Sequence, residues 1–295
     1  MSANQLSRSH LNRVRLAICR QVPKSIHLAL SSQKERYGSN VDYAKAVDQH
    51  ALYMDHLREA VGRGSDGVYV CAAEEKYPDC VFVEDAAVVS GPTTAVSTTI
   101  GAESRRGEEV GVLDALLHSG IEQALIMRDE NRAFLDGGDV LYTGRHVFVG
   151  LSERTNVQGC KWLRKSFPPH VPIIPVPVIN NLHLKCMLTA IDENNIVVAN
   201  TRKAVTLTKK IFDSIGDDAD DYNVHLVEND VAANVLRCNH TIIVPKGVGR
   251  DTKSVYKDIA RNVADIENLI SVDNSEFTKI DGSLTCRSVL LWDDN

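Results

Sequence analysis

Pairs of short apolar stretches, each pair joined by a polar turn, recur along the chain and restrict its fold more than any other feature. Clear examples are DVLYTGRHVFVG (Asp139–Gly150), CMLTAIDENNIVVAN (Cys186–Asn200) and NVLRCNHTIIVP (Asn234–Pro245). CVFVEDAAVV (Cys80–Val89) has the same form, and TCRSVLLW (Thr285–Trp292) is a last strand whose partner is expected from the N-terminus. The units recur roughly every 45 to 60 residues, a period typical of propellers and repeat arrays.

Helical patterns lie between these units. Tyr43–Val61 has apolar residues at helical spacing, and Glu108–Gly120 ends on a glycine suited to a helix C-terminus. Further helices are predicted at Thr155–Phe167, Val205–Ile215 and Thr252–Val263. Strands that alternate with helices indicate an α/β fold, and five similar units indicate radial repetition around a centre. No Pro/Ser-rich linker divides the chain, so residues 1–295 are predicted to form a single domain.

Composition excludes several classes of protein. The formal net charge is −6 and no long Lys/Arg run occurs, so we expect no nucleic-acid surface. No apolar run approaches the ~18 residues of a membrane helix, and no signal-peptide core is present. Seven dispersed cysteines without a CxxC pair indicate reduced thiols and predict a cytoplasmic protein. The basic N-terminus resembles a mitochondrial transit peptide in composition, but Arg13–Pro23 reads as a first strand and its exit turn.

Unusual polar residues occur in the same units, near the predicted strand ends. Asp79, Glu84 and Asp85 adjoin an apolar run, either as a solvated strand edge or as a carboxylate set for a cation. Asp136 and Asp139 flank two glycines, which form a common turn or allow a ligand to approach the backbone closely.

A histidine and a cysteine from two other units complete the candidate set. His183 and Cys286 each adjoin apolar stretches, where either residue is more often part of the packed core. However, a cysteine, a histidine and an acid that are distant in sequence can form a nucleophile set once the fold brings them together. Radial repeats would bring equivalent strand ends to a common axis.

Four segments together resemble the dimethylarginine dimethylaminohydrolase family: PDCVFVEDAAVV, LDGGDVLYTGRHVFVGLSERTN, NNLHLK and DGSLTCRSVL. Their order and spacing match over about residues 13 to 292. The family belongs to the guanidino-group modifying enzymes, whose fold is a five-bladed α/β propeller of ββαβ repeats around a central active site. The resemblance implies hydrolysis of Nω-methylated arginines (asymmetric dimethylarginine and monomethylarginine) to citrulline and an alkylamine. The reaction would pass through a covalent S-alkylthiouronium intermediate on a cysteine.

The resemblance also implies a role for each candidate residue. Cys286 would be the nucleophile, His183 the general acid/base, and Asp136 the residue that orients His183. The substrate would be bound by the remaining residues: Asp79, Asp85 and the adjacent Glu84 at the guanidinium, Arg105 and Arg145 at the carboxylate, and the backbone carbonyls of Leu30 and Ile280 at the α-amino group. The segment around Leu30 would act as a mobile lid.

The implied partner is a small guanidino substrate, with no cofactor, nucleic acid or membrane. Zinc is a possible inhibitor at Cys286, because cysteine, histidine and carboxylates are its usual ligands. One rival is a sister activity, an arginine or agmatine deiminase or an amidinotransferase. In the deiminases the histidine motif reads H-x-D, whereas this chain has His183-Leu184-Lys185. A second rival is a non-catalytic propeller that binds methylarginine or a protein partner.

Overall fold

The computed structural model describes residues 10–32, 40–128 and 132–293. Fifteen strands occur in this part of the chain: β1 (Val14–Arg20), β2 (Val68–Cys71), β3 (Ala87–Gly91), β4 (Thr94–Ser97), β5 (Gln123–Ile126), β6 (Val140–Tyr142), β7 (Val147–Leu151), β8 (Ile173–Pro177), β9 (Leu188–Ala190), β10 (Asn195–Ala199), β11 (Asn223–Val227), β12 (Leu236–Cys238), β13 (Thr241–Pro245), β14 (Asn268–Val272) and β15 (Val289–Trp292). They form five three-stranded sheets. In each sheet an inner strand pairs antiparallel with the middle strand, which pairs in parallel with an outer strand.

Helices cover these sheets. They are α1 (Tyr43–Val61), α2 (Glu109–His118), α3 (Val157–Leu163), α4 (Arg202–Ile215), α5 (Asp230–Ala233), α6 (Arg250–Asn262) and α7 (Ser275–Thr278). The predicted bounds of α1 are correct because both ends have strong local signals. The Asp42 side chain accepts a hydrogen bond from the Lys45 N–H, and Gly62 ends the helix at φ 74°. Within the described ranges, no helix has the length and apolar character needed to span a membrane.

The two ends of the chain meet in one sheet. β15 pairs antiparallel with β1, with Val289 opposite Ile18 and Leu291 opposite Leu16. The expected pairing of the last strand with an N-terminal strand is therefore confirmed, as is the five-bladed propeller-like α/β fold. The inner strands β3, β6, β9, β12 and β15 all contribute residues to a cavity of about 130 Å³ at the centre.

The segment Cys80–Val89 differs in part from its predicted form, two apolar strands joined by a polar turn. It forms a 3-10 turn at Val83–Ala86, and β3 begins only at Ala87. Every residue from Cys80 to Val89 is buried, so the segment has no solvent face, and its first apolar stretch forms no strand. The turn places the carboxylates at the start of the inner strand.

The same local geometry recurs in other blades. 3-10 turns precede three further inner strands: Gly137–Asp139 before β6, Leu184–Cys186 before β9 and Thr285–Arg287 before β15. Each turn adjoins or contains a candidate site residue. In the remaining blade, α5 leads to Asn234, just before β12. The beginnings of the inner strands therefore place the polar residues together at one end of the central axis.

Candidate active site

A cavity of about 650 Å³ lies at this end of the axis. The predicted residues that line it are Cys286, His183, Asp79, Asp85, Arg105, Leu30 and Ile280. Asp136 lies behind His183, while Glu84 and Arg145 are located elsewhere.

His183 is held between two carboxylates. Its Nε2 lies 2.9 Å from Asp136 Oδ2, and its Nδ1 lies 3.9 Å from Asp85 Oδ1. Asp136 is fully buried, and its second oxygen accepts a hydrogen bond of 2.8 Å from the Gly101 N–H. Burial would lower the pKa of His183, but Asp85 and the hydrogen bond to Asp136 raise it to about 9. The imidazole is therefore protonated at neutral pH and able to donate a proton.

The two glycines of the DGGD motif allow this close packing. A Cβ at Gly137 would lie 1.9 Å from the Glu84 carbonyl oxygen, and one at Gly138 would lie 2.6 Å from His183 Nδ1. Asp139 accepts a hydrogen bond of 2.9 Å from the Leu184 N–H, directly after His183. The glycines thus make room for neighbouring protein groups, and Asp139 positions the histidine backbone.

Asp85 and Arg105 form a buried ion pair. Arg105 Nη1 lies 2.8 Å from Asp85 Oδ2, and the same guanidinium binds Glu108 at 2.9 Å and the Phe82 carbonyl at 3.2 Å. Burial favours the neutral form of Asp85, but His183 and Arg105 lower its pKa below the ordinary value. Arg105 therefore borders the cavity with each of its three side-chain nitrogens already bound to a protein acceptor.

Asp79 connects the carboxylates to the N-terminal segment. The Leu30 N–H donates to both Asp79 oxygens, at 3.1 and 3.2 Å. Burial raises the pKa of Asp79, and Arg105 opposes this change. Ser32 binds Asp281 next to the buried Ile280, so both predicted α-amino-binding residues lie at one wall of the cavity. Residues 33–39, the rest of the predicted lid around Leu30, lie outside the described residues.

Cys286 lines the cavity with a partly exposed side chain. The Ser283 N–H donates to its Sγ at 3.4 Å. Burial, followed by the charges of Glu84 and Asp85, raises the pKa of the thiol well above its ordinary value. The resting thiol is therefore neutral near pH 7, in the cavity that the protonated His183 also lines.

Glu84 lies beneath the cavity and is paired with other side chains. Lys185 Nζ lies 2.6 Å from Glu84 Oε1, and the Thr285 hydroxyl donates to Oε2 at 2.9 Å. Both Glu84 and Lys185 border the central cavity between the inner strands. The structure thus separates Glu84 from Asp79 and Asp85, with which it was grouped from sequence.

The structure does not bring Arg145 to the cavity. It lies in the turn between β6 and β7 and pairs with Asp221 at the surface. β6 begins at the site and spans about 10 Å, at ~3.3 Å per residue, so the turn at its far end lies away from the cavity. Arg154 lines the cavity instead, because β7 returns the chain to the site end of the blade. The sequence did offer one sign of this role: Arg154 follows the second strand of a predicted hairpin, and that strand returns the chain to the end where the first strand begins.

Asp85, Asp136 and His183 also offer ligand atoms within 4.8 Å of one another, a spacing that would suit a metal ion. Zinc inhibition at Cys286 stays a prediction.

Comparisons with known proteins agree with this geometry. A family model described as "N,N dimethylarginine dimethylhydrolase, eukaryotic" matches residues 31–220. The chain is 30% identical over 251 residues to the N(G),N(G)-dimethylarginine dimethylaminohydrolase of Pseudomonas aeruginosa, covering 84% of this chain and 89% of the relative. The chain belongs to the dimethylarginine dimethylaminohydrolase family.

Solved structures give the same family and fold. A cysteine-to-serine mutant of the Pseudomonas aeruginosa dimethylarginine dimethylaminohydrolase, complexed with citrulline, has a TM-score of 0.77 and 27% identity, covering 94% of this chain and 99% of that one. The N-terminal domain of a cyanobacterial arginine dihydrolase has a TM-score of 0.76 at 17% identity, covering 94% and 98%, and shows the shared fold alone. The resemblance found in the sequence motifs is confirmed, and the chain is a hydrolase of C–N bonds in amidines.

Proposed function

We propose that this chain hydrolyses Nω-methylated arginines to citrulline and an alkylamine, with Cys286 as the nucleophile. The observation that carries the proposal is that Cys286, His183, Asp79 and Asp85 line one cavity. A guanidinium is planar and cationic, and carboxylates bind its N–H groups with matching geometry. The same carboxylates would hold its central carbon beside the thiol.

The protonation states of the resting site support substrate-assisted attack. A bound guanidinium adds positive charge beside Cys286 and so lowers the thiol pKa, and the thiol proton passes to solvent. The thiolate attacks the central carbon, and the tetrahedral adduct collapses as His183 protonates the departing alkylamine. An S-alkylthiouronium remains on Cys286. Neutral His183 then takes a proton from water, and the resulting hydroxide displaces the thiolate to release citrulline.

The amino-acid end of the substrate requires a cation and acceptors. We assign its carboxylate to Arg154, which lines the cavity, because each side-chain nitrogen of Arg105 already binds Asp85, Glu108 or a carbonyl. The α-amino group is assigned to the backbone carbonyls of Leu30 and Ile280, because both residues line the same cavity.

Lys185 stands at the sequence position where deiminases have an acid, and the loss of that acid favours methylated substrates. Its Nζ binds Glu84 at 2.6 Å beneath the cavity. A site with fewer free carboxylates binds fewer guanidinium N–H groups. It therefore discriminates less against nitrogen atoms that carry methyl groups in place of hydrogen.

A citrulline assay over a substrate panel tests the proposal. The purified protein should release citrulline faster from asymmetric dimethylarginine and monomethylarginine than from arginine, and Cys286→Ser should release none while still binding the substrate in calorimetry. Equal or faster turnover of arginine would identify an arginine hydrolase instead. Binding without citrulline from any of the panel would identify a non-catalytic protein.

A further inference from the structure

A buried cation without a hydrogen-bond partner follows the candidate nucleophile directly. Arg287 and Cys286 belong to the same 3-10 turn, and the Arg287 side chain is fully buried. In the described part of the chain, its three side-chain nitrogens have no hydrogen-bond acceptor. Burial lowers the pKa of Arg287 to about 10, so the guanidinium still carries its charge at neutral pH.

Two aromatic rings enclose this guanidinium. Its central carbon lies 4.1 Å from the ring centre of Tyr53, in α1, and 4.4 Å from the ring centre of Phe277, in α7. The face of an aromatic ring attracts a cation, most strongly where water is excluded. The Cys286 side chain packs against the apolar cluster that contains Phe277. The rings therefore fix the charge in the core next to the nucleophile, but they do not neutralise it.

The same two residues hold the segment that carries the nucleophile. The Tyr53 hydroxyl donates to the Leu284 carbonyl at 2.9 Å and lies 2.8 Å from Ser288 Oγ, so it binds both sides of the turn. The Phe277 carbonyl accepts a hydrogen bond of 2.9 Å from the Gly282 N–H, shortly before the turn. The guanidinium is thus part of the structure that positions the turn.

An unpaired charge in the core is costly, and an apolar side chain of similar size would avoid that cost. Three ionisable groups could give the guanidinium a negative partner: Tyr53, Cys19 and Cys286. Burial raises the pKa of Cys19 to about 12 and also raises the pKa of Tyr53, so both stay neutral. His50, which is nearby, is neutral because burial and Arg287 lower its pKa to about 3. Of the three groups, only Cys286 loses its proton in the proposed reaction.

We propose that Arg287 is a positioning residue for the nucleophile, and that its fixed charge stabilises the anionic Cys286 sulfur from the core while the substrate guanidinium does so from the cavity. The proposal rests on the nucleophilic role proposed for Cys286. Glu84 and Asp85 act in the opposite sense, because their charges raise the pKa of this thiol. The sulfur is anionic twice in each turnover, when it attacks and when it departs from citrulline. A thiol of lower pKa supplies more thiolate than it loses in nucleophilicity, and it departs faster.

Neutral and charged substitutions separate the charge of Arg287 from its packing. Arg287→Met and Arg287→Gln remove the charge, whereas Arg287→Lys keeps it. An opposite charge nearby changes a pKa by about one to three, and about half of that change appears in the rate, which corresponds to about three- to thirtyfold. We expect kcat for asymmetric dimethylarginine to fall by this factor in both neutral variants. KM should change little, because Arg287 does not line the cavity.

Two further variants complete this comparison. Arg287→Lys should stay close to the wild-type kcat. Arg58→Met, which removes a charge from the surface of α1, is the control and should also keep the wild-type kcat. The Arg287→Met protein should unfold at the same temperature as the wild type or higher, because it no longer buries an unpaired charge. Wild-type kcat in the neutral variants, or equal losses in Arg287→Lys and Arg287→Met, would overturn the proposal.

Alkylation of Cys286 by iodoacetamide tests the charge independently of hydrolysis. At one fixed pH, the labelling rate measured by mass spectrometry should fall about threefold or more in Arg287→Met and stay near the wild-type rate in Arg287→Lys and Arg58→Met. Equal labelling rates in Arg287→Met and the wild type would overturn the role of Arg287. If the wild type released no citrulline while labelling followed the charge at position 287, the proposed hydrolase would be contradicted and the effect of Arg287 on the sulfur supported.

Discussion

Truncation of Arg154 to alanine should reduce kcat/KM for asymmetric dimethylarginine by about ten- to a hundredfold or more. Arg154 faces the cavity, whereas the Arg105 guanidinium already binds Asp85, Glu108 and the Phe82 carbonyl. A hydrogen bond to a charged group contributes about 1.5–3 kcal/mol, and about 1.4 kcal/mol corresponds to a tenfold change. The loss follows from the missing partner for the substrate carboxylate.

The assay compares two substrates and two arginines. Citrulline or the matching urea product is measured with asymmetric dimethylarginine and with an Nω-dimethylated agmatine, which lacks the carboxylate. Arg154→Ala should lose far less on the second substrate. Arg145→Ala is the matched control, because its surface pair with Asp221 contributes at most about 1 kcal/mol and lies away from the cavity. Equal losses on both substrates, or a comparable loss for Arg145→Ala, would refute the assignment.

Three further outcomes concern the chemistry of the site. The rate of Cys286 alkylation by iodoacetamide, measured by mass spectrometry, should keep rising as the pH passes the free-thiol pKa of about 8.5. The reason is that burial and the nearby carboxylates raise the pKa of this thiol. A rate that reaches its plateau below neutral pH would indicate a resting thiolate. Asp136→Asn should shift the alkaline limb of the pH profile of kcat/KM to lower pH. Removing this anion lowers the His183 pKa from about 9, and the proton donor is then lost at lower pH. An unshifted limb would exclude His183 as the proton donor. Lys185→Asp should raise the ratio of arginine to dimethylarginine turnover, because it restores the acid that the deiminases have at this position. Lys203→Asp is the cavity-lining control, and an unchanged ratio would show that position 185 does not set specificity.

Strong local patterns made much of the fold predictable. The hairpins β6–β7, β9–β10 and β12–β13 match the predicted apolar pairs to within one residue, because a two-faced strand beside a polar turn is encoded in neighbouring residues. The outer strands were not read from the sequence, since each follows a helix and pairs in parallel with a distant strand. The first apolar stretch of Cys80–Val89 was wrongly predicted as a strand, because a segment that is buried on every side can be apolar without being a strand.

Motif order and spacing alone were enough to identify the family and to point to His183 and Cys286. The distribution of the other polar groups depended on the three-dimensional arrangement. Arg145 and Arg154 lie nine positions apart and look alike in sequence, yet only the direction of β7 decides which one faces the ligand. Asn234 has no distinctive local signal, because its function is to bridge residues 185 and 285 from a third blade. Hydrogen bonds and charge pairs between blades exist only once the sheets surround the axis, so their partners had to come from the tertiary structure.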